Sequence, residues 1–131
     1  QESALRPNAV SPAGAKGIAQ FMPATWGEVS RQLVIDGSPF DPHLSIPAGA
    51  YYLSNMRRGW IWNRPEQDRH NLALASYNAG FGNLLKAQRI CNNATLYPDI
   101  IKCLPDITFQ HSKETIGYVL AIRRYHTLLR Q

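Results

Sequence analysis

Apolar residues recur along this chain at the three- and four-residue intervals of a helix face. Nowhere do they alternate with polar residues for long enough to read as a strand. The stretch TWGEVSRQL predicts a first helix, with Thr25 three residues ahead of Glu28 in capping-box spacing, ending before DGSPFDP. SIPAGAYYLSNMRRGW predicts a second, with Ser45 as N-cap, Pro47 in the first turn, and Tyr51, Tyr52, Leu53 and Met56 on its apolar face. NRPEQDRHNLALASYNAG predicts a third, capped by Asn63 with Glu66 three residues on. Its Leu72, Ala73, Ala75 and Ser76 form a small-residue face that another helix can approach closely. GNLLKAQRI makes a shorter helix. SKETIGYVLAIRRYHTLLRQ closes the chain as the clearest amphipathic one, capped by Ser112, with Ile116, Val119, Leu120, Ile122 and Leu128 spaced for burial. The order is helix, loop, helix, without internal repeat or low-complexity tract, and it predicts one compact all-α domain.

Length agrees: 131 residues allow one core and not two. No apolar run approaches the roughly 20 residues of a membrane helix, and the start lacks the basic-then-apolar form of a signal peptide. Any targeting segment has been removed or lies outside this chain. The net charge of +5, with ten Arg and four Lys, favours anionic partners such as nucleic acid, a membrane surface or an acidic wall polymer. That charge is scattered, with pairs only at Arg57–Arg58 and Arg123–Arg124, where a nucleic-acid binder more often carries a basic stripe interleaved with aromatics.

Cys91 and Cys103 flank NNATLYPDIIK with no CxxC and no histidine at metal spacing, which argues against zinc. Two readings remain, a disulfide stapling a Pro- and Asn-containing loop or two buried thiols, and the first implies an oxidising compartment. His43, His70, His111 and His126 form no HxxxH or HExxH arrangement, so no metal is assigned and no cofactor is implied.

The chemistry concentrates at the start. Glu2 is followed by a stretch rich in Gly, Ala and Pro and nearly free of charge. Gly14 and Gly17 permit backbone conformations closed to other residues and close approach to a ligand. Gln20 offers a neutral donor and acceptor, suited to sugar hydroxyls and acetamides. Later, SYNAGFG sets Tyr77 and Asn78 at a helix end against Gly80 and Gly82. Neutral hydrogen-bonding groups, aromatics and a single acid are the furniture of a polysaccharide cleft. Taken singly, Tyr77 reads equally well as a core tyrosine with a bonded hydroxyl, and the glycines as ordinary turns. In GWIW, Trp60 and Trp62 read as core or anchoring residues before they read as sugar-stacking ones.

In combination, Glu2–Ser3, SPAGAKGIAQFMPAT at Ser11–Thr25, FDPHLSIPAGAYYL at Phe40–Leu53, SYNAGFG at Ser76–Gly82 and ETIGYV at Glu114–Val119 resemble the soluble lytic transglycosylase domain. The blocks stand in that family's order across essentially the whole chain. The resemblance implies the goose-type lysozyme-like fold, with a substrate cleft, and cleavage of bacterial peptidoglycan. It implies Glu2 as the catalytic acid. It places Ser11, Gln20, Met22 and the backbone of Ile18 and Ala19 near the scissile sugar, and Tyr77 and Asn78 beside them. Glu114 would line or brace the cleft without donating the proton, and it also suits the first turn of the last helix. Two departures stand out: GIAQ replaces the family's GLMQ, putting Ala19 where a larger residue is usual, and Ser45 replaces an Asn.

Mechanism then follows from counting carboxylates. Ordinary glycosidases use two, about 5 or 7–9 Å apart, and no second acid stands near Glu2 in the sequence. One acid would therefore protonate the glycosidic oxygen between N-acetylmuramic acid and N-acetylglucosamine, in an apolar setting that raises its pKa. The substrate acetamide would assist, and the same carboxylate would then serve as base on the C6 hydroxyl to give a 1,6-anhydro end. Two rival readings are a water-using lysozyme or chitinase, with Asp99 or Asp106 as second acid, and a catalytically silent wall-binding module. Nearly all of the helix that precedes the acid in the family is missing before Glu2, so a truncated first helix is expected. The expected partner is peptidoglycan glycan strands, with no nucleic acid and no transmembrane segment in this chain, acting as a monomer. The expected location is the bacterial cell envelope, periplasmic or exported, or a phage-encoded setting.

Overall fold

A computed structural model describes residues 7–11, 14–17, 20–61 and 63–129. Seven helices run through the described residues: α1 Pro23–Leu33, α2 Pro42–Gly59, α3 Glu66–Ala79, α4 Phe81–Ile90, α5 Tyr97–Ile101, α6 Pro105–Thr108 and α7 His111–Leu129. Among those residues, strand-like pairing is confined to the isolated bridges Val10–Lys16 and Lys16–Phe21, so the fold is all-α. No described helix is long and apolar enough to cross a membrane. The chain divides into two compact units, Gln1–Tyr52 and Leu53–Gln131.

In the first unit, Phe21, Trp26, Val29 and Ala48 are buried, with Leu33, Ile35, Leu44, Tyr51 and Tyr52 packed against them. The Phe21 ring meets Trp26 edge-on at 5.2 Å. Helix α1 starts two residues ahead of Thr25. Met22 is extended and Pro23 opens the helix, because proline restricts the residue before it and has no N–H to leave unsatisfied at N1. Thr25 therefore caps nothing, and its hydroxyl bonds Tyr52. The helix ends in a Schellman arrangement, Val34 N–H to the Arg31 carbonyl (3.2 Å) and Ile35 N–H to that of Ser30 (2.8 Å). Helix α2 is capped by Asp41, whose Oδ1 accepts from His43 N–H at 3.0 Å. Ser45 and Pro47 thus lie inside that helix, and the buried Ser45 hydroxyl has no hydrogen-bond partner.

The second unit is organised on α3, in which Asn71 to Ser76 are buried without interruption, and which packs against α4, α5 and α7. A helix buried all round carries no amphipathic stripe, and the small residues Ala73, Ala75 and Ser76 allow its neighbours in. Pro65 precedes it in extended conformation, and Asn63, at φ 46°, is a turn residue and not its cap. Trp60, Leu72, Leu84, Ile100, Leu104 and Val119 fill the core. The Trp60 indole N–H donates to Ser76 Oγ at 2.8 Å in the interior, so this tryptophan is a core residue; Trp62 lies outside the described residues. A disulfide joins Cys91 to Cys103 across a Cα separation of 6.0 Å, and the segment it spans holds helix α5. Helix α7 begins at His111, so Ser112 is inside it and donates its hydroxyl back to the Phe109 carbonyl at 2.7 Å. Val119 is buried as its spacing predicts, whereas Leu120 and Leu128 face outward.

Candidate active site

The described residues of the glycine-rich stretch, in the first unit, are tightly bonded to one another. Lys16 and Phe21 exchange both backbone hydrogen bonds (2.8 and 3.0 Å), and Gly17 N–H donates to the Ala9 carbonyl at 2.9 Å. Ser11 is paired with Ala15: its N–H donates to the Ala15 carbonyl at 2.9 Å, and its Oγ accepts from Ala15 N–H at 3.0 Å. Gln20, with φ 53°, turns back so that its backbone N–H and its Nε2 both donate to the Gly17 carbonyl (3.1 and 2.8 Å). Gly17 itself adopts φ 81°, and a Cβ there would stand 2.0 Å from the Pro39 carbonyl oxygen. Glycine is required twice over, for its conformation and for its clearance. Met22 ends the loop with 41% of its surface exposed. Phe21, one step earlier, belongs to the core. Glu2, Ile18 and Ala19 lie outside the described residues.

The candidate residues of the second unit gather where the end of α3 meets the first turns of α7. Thr115 is completely buried and donates its hydroxyl to Asn78 Oδ1 at 2.6 Å. That bond fixes the orientation of the Asn78 amide, turning Nδ2 toward Glu114 Oε2 at 3.4 Å. The same Glu114 oxygen lies 2.8 Å from His111 Nε2. Asn78 and Glu114 are therefore brought together, as two links in a chain running His111, Glu114, Asn78, Thr115. Tyr77 stacks on Tyr118, with ring centroids 6.3 Å apart and planes 14° from parallel. Burial pushes the Tyr118 hydroxyl up to about 12.

Neither Thr115 nor His111 is among the site residues that the resemblance implies. Thr115 stands beside Glu114 in the ETIGYV block, and a hydroxyl next to a candidate acid on a helix face was the available signal. His111 precedes Glu114 by three positions, the spacing that brings helical side chains together. Among the described residues, no group of three or more His, Cys, Asp or Glu side chains could hold a metal ion.

The Transglycosylase SLT domain profile matches residues 1–97, the loop and the Tyr77–Asn78 block included. The chain belongs to that family. Similar curated proteins extend the likeness through α7. They include the membrane-bound lytic murein transglycosylase F of Shewanella loihica, 34% identical over 98% of this chain, and that of Marinobacter nauticus, 36% identical over 98%. The membrane-bound lytic murein transglycosylase F 2 of Alkalilimnicola ehrlichii is 32% identical over the whole chain. This chain spans 29%, 28% and 31% of their respective lengths. The described candidate residues divide by how they are held. Ser11 and Gln20 are tied to their own loop, and Asn78 and Glu114 are tied to each other.

Proposed function

We propose that this chain is a single lytic transglycosylase module. It cleaves the β-1,4 bond between N-acetylmuramic acid and N-acetylglucosamine in peptidoglycan and leaves a 1,6-anhydromuramic end. Glu2 protonates the glycosidic oxygen as the C1–O bond breaks, the 2-acetamido group stabilises the developing positive charge at C1, and the leaving strand departs with a free 4-hydroxyl. The Glu2 carboxylate then takes the proton of the muramic C6 hydroxyl as that oxygen closes onto C1. No water is consumed. Ser11, Ile18, Ala19, Gln20, Met22, Tyr77 and Asn78 take the substrate-binding roles that the family resemblance assigns to their positions.

The observation that carries this reading is the SLT family match, joined to the wiring of Glu114. A carboxylate oxygen that already faces Asn78 Nδ2 and His111 Nε2 is suited to bracing Asn78, which leaves proton transfer to a different acid. The relatives' printed names, lytic murein transglycosylases, support the substrate class, and the Cys91–Cys103 disulfide supports a periplasmic or exported setting in the bacterial envelope.

The test is mass spectrometry of the soluble products released from purified sacculi by the protein and by Glu2→Gln. Anhydro-ended muropeptides, about one water lighter than hydrolytic products, are expected from the first and absent from the second. Hydrated reducing ends would instead make the protein a lysozyme.

A further inference from the structure

Glu114 stands in the first turn of α7, where an acid needs no histidine, because the helix N-terminus already favours it. A part-exposed pair three residues apart on one helix also contributes little by itself. This pair does more, because it reaches across to a second helix. The Glu114 oxygen that lies 2.8 Å from His111 Nε2 is the one that faces Asn78 Nδ2 at 3.4 Å. Thr115 donates to Asn78 Oδ1 at 2.6 Å, and its hydroxyl oxygen also stands 3.4 Å from the carbonyl of His111. The four residues close a circuit that starts and ends on His111.

Each link has a definite task. The Thr115 hydroxyl pins one end of the Asn78 amide but leaves the amide plane free to tilt about that point. A second contact, at Nδ2, fixes the plane. Glu114 supplies it through a long bond, from a side chain that is 30% exposed. A glutamate has three rotatable side-chain bonds, so a contact of 3.4 Å does not by itself choose its rotamer. Among the described residues the Glu114 carboxylate has one other partner, His111, and that shorter contact sets where the carboxylate stands. An ionised carboxylate only accepts, so His111 Nε2 carries the hydrogen in the neutral as in the charged imidazole, and the link needs no charge on the ring. Asn78, half-buried, keeps a second Nδ2–H that has no partner among the described residues.

We propose that His111 is a positioning residue: it holds the Glu114 carboxylate against Asn78 and so aims the remaining Asn78 N–H at the glycan. This rests on the glycan-cleaving reading above, in which Asn78 takes a substrate-binding role. His111 acts through Glu114 and is assigned no contact of its own with the glycan.

The test uses His111→Ala and His111→Gln. Alanine removes the imidazole while favouring the helix. Glutamine sets an amide nitrogen the same number of bonds from Cβ as Nε2, a donor that never ionises. The readouts are thermal unfolding, the 15N–1H resonances of the Asn78 side-chain amide, and kcat and KM on sacculi. His111→Ala is expected to leave Tm within about two degrees of the parent and to shift the Asn78 resonances. It is also expected to raise KM about fivefold with little change in kcat. His111→Gln is expected to return the resonances towards the parent and KM to within about twofold of it. Because both variants lack the imidazole ring, a difference between them reports the hydrogen bond and not the ring's magnetic field. Asn78 resonances unmoved by alanine overturn the proposal, as does a glutamine variant that behaves like alanine. A fall in Tm of more than about five degrees in His111→Ala would make the imidazole a structural support instead. If the parent releases nothing from sacculi, resonances shifted by alanine and returned by glutamine still sustain the wiring, and the transglycosylase reading fails. Cleavage with the parent's KM in all three proteins sustains that reading and refutes the role of His111.

Discussion

The described residues between 9 and 21 and the seam between α3 and α7 both hold candidate site residues, and they hold them by opposite means. In the loop, backbone bonds do most of the work, through the paired Lys16–Phe21 bonds and the Gly17–Ala9 bond, with Ser11 and Gln20 adding side-chain ties to it. At the seam, bonds between side chains carry the arrangement: Thr115 to Asn78, Asn78 to Glu114, Glu114 to His111. A loop built from main chain is sensitive to whatever deforms the main chain and tolerant of side-chain truncation. A chain of side chains fails at whichever link is removed, because the group left behind is a part-buried donor or acceptor without its partner.

The largest effect should come from Gly17→Ala. The added methyl would overlap the Pro39 carbonyl oxygen, at 2.0 Å, on a backbone with φ 81° that alanine resists. The Cβ is fixed to the backbone and its partner is a main-chain carbonyl, so neither can swing away. The expected loss is at least about 3 kcal/mol of unfolding free energy in urea titration, together with loss of sacculus cleavage. A loss well under about 1 kcal/mol would mean that the loop yields easily and that its backbone bonds are not what hold it.

Next in size is Thr115→Val, which keeps shape and burial but removes the donor to Asn78 Oδ1. The expected cost is about 2 kcal/mol. A free Asn78 amide should also lower kcat/KM on sacculi about tenfold. Thr115→Ser, which retains the hydroxyl, should recover most of the kcat/KM while still losing some stability to the missing methyl. If Ser and Val variants lose activity equally, Thr115 is a packing residue and the seam is not wired through its hydroxyl.

Helix positions along this chain were legible because apolar spacing is a local property, but helix starts were not. Thr25, Ser45, Asn63 and Ser112 each have the chemistry of a cap, yet none caps its helix. Pro23 opens α1, Asp41 caps α2 and Pro65 leads into α3, so chain direction set by proline, or an acid a turn earlier, outweighed the hydroxyl or amide. Proline also concealed α5, where Pro98 stands in the first turn of a segment that reads as a Pro- and Asn-containing loop, and Pro105 likewise opens the short α6. For the site, Asn78 and Glu114 were legible as block residues. Their hydrogen bond, and the part of Thr115 in it, depend on α3 lying against α7, a contact between residues 37 positions apart that no local window contains. Leu120 and Leu128 show the converse, being apolar by spacing yet exposed, since α7 meets neighbours on only part of its circumference.

The smallest effect, and the sharpest check on the contrast, is Gln20→Ala. Its Nε2 donates to the Gly17 carbonyl at 2.8 Å, but the Gln20 backbone N–H reaches the same oxygen at 3.1 Å. That acceptor therefore keeps a partner when the side chain is cut back, and no buried group is stranded. Alanine also tolerates φ 53° less readily than glycine but no worse than glutamine does. The expected stability loss is about 0.5–1 kcal/mol, well below that of Thr115→Val, although the two lost hydrogen bonds look alike in length. A drop in cleavage larger than this small loss explains would assign the Gln20 amide to the glycan, freed from Gly17 when substrate binds. A stability loss equal to that of Thr115→Val would show that the loop, too, is held by its side chains, and the contrast between the two regions would disappear.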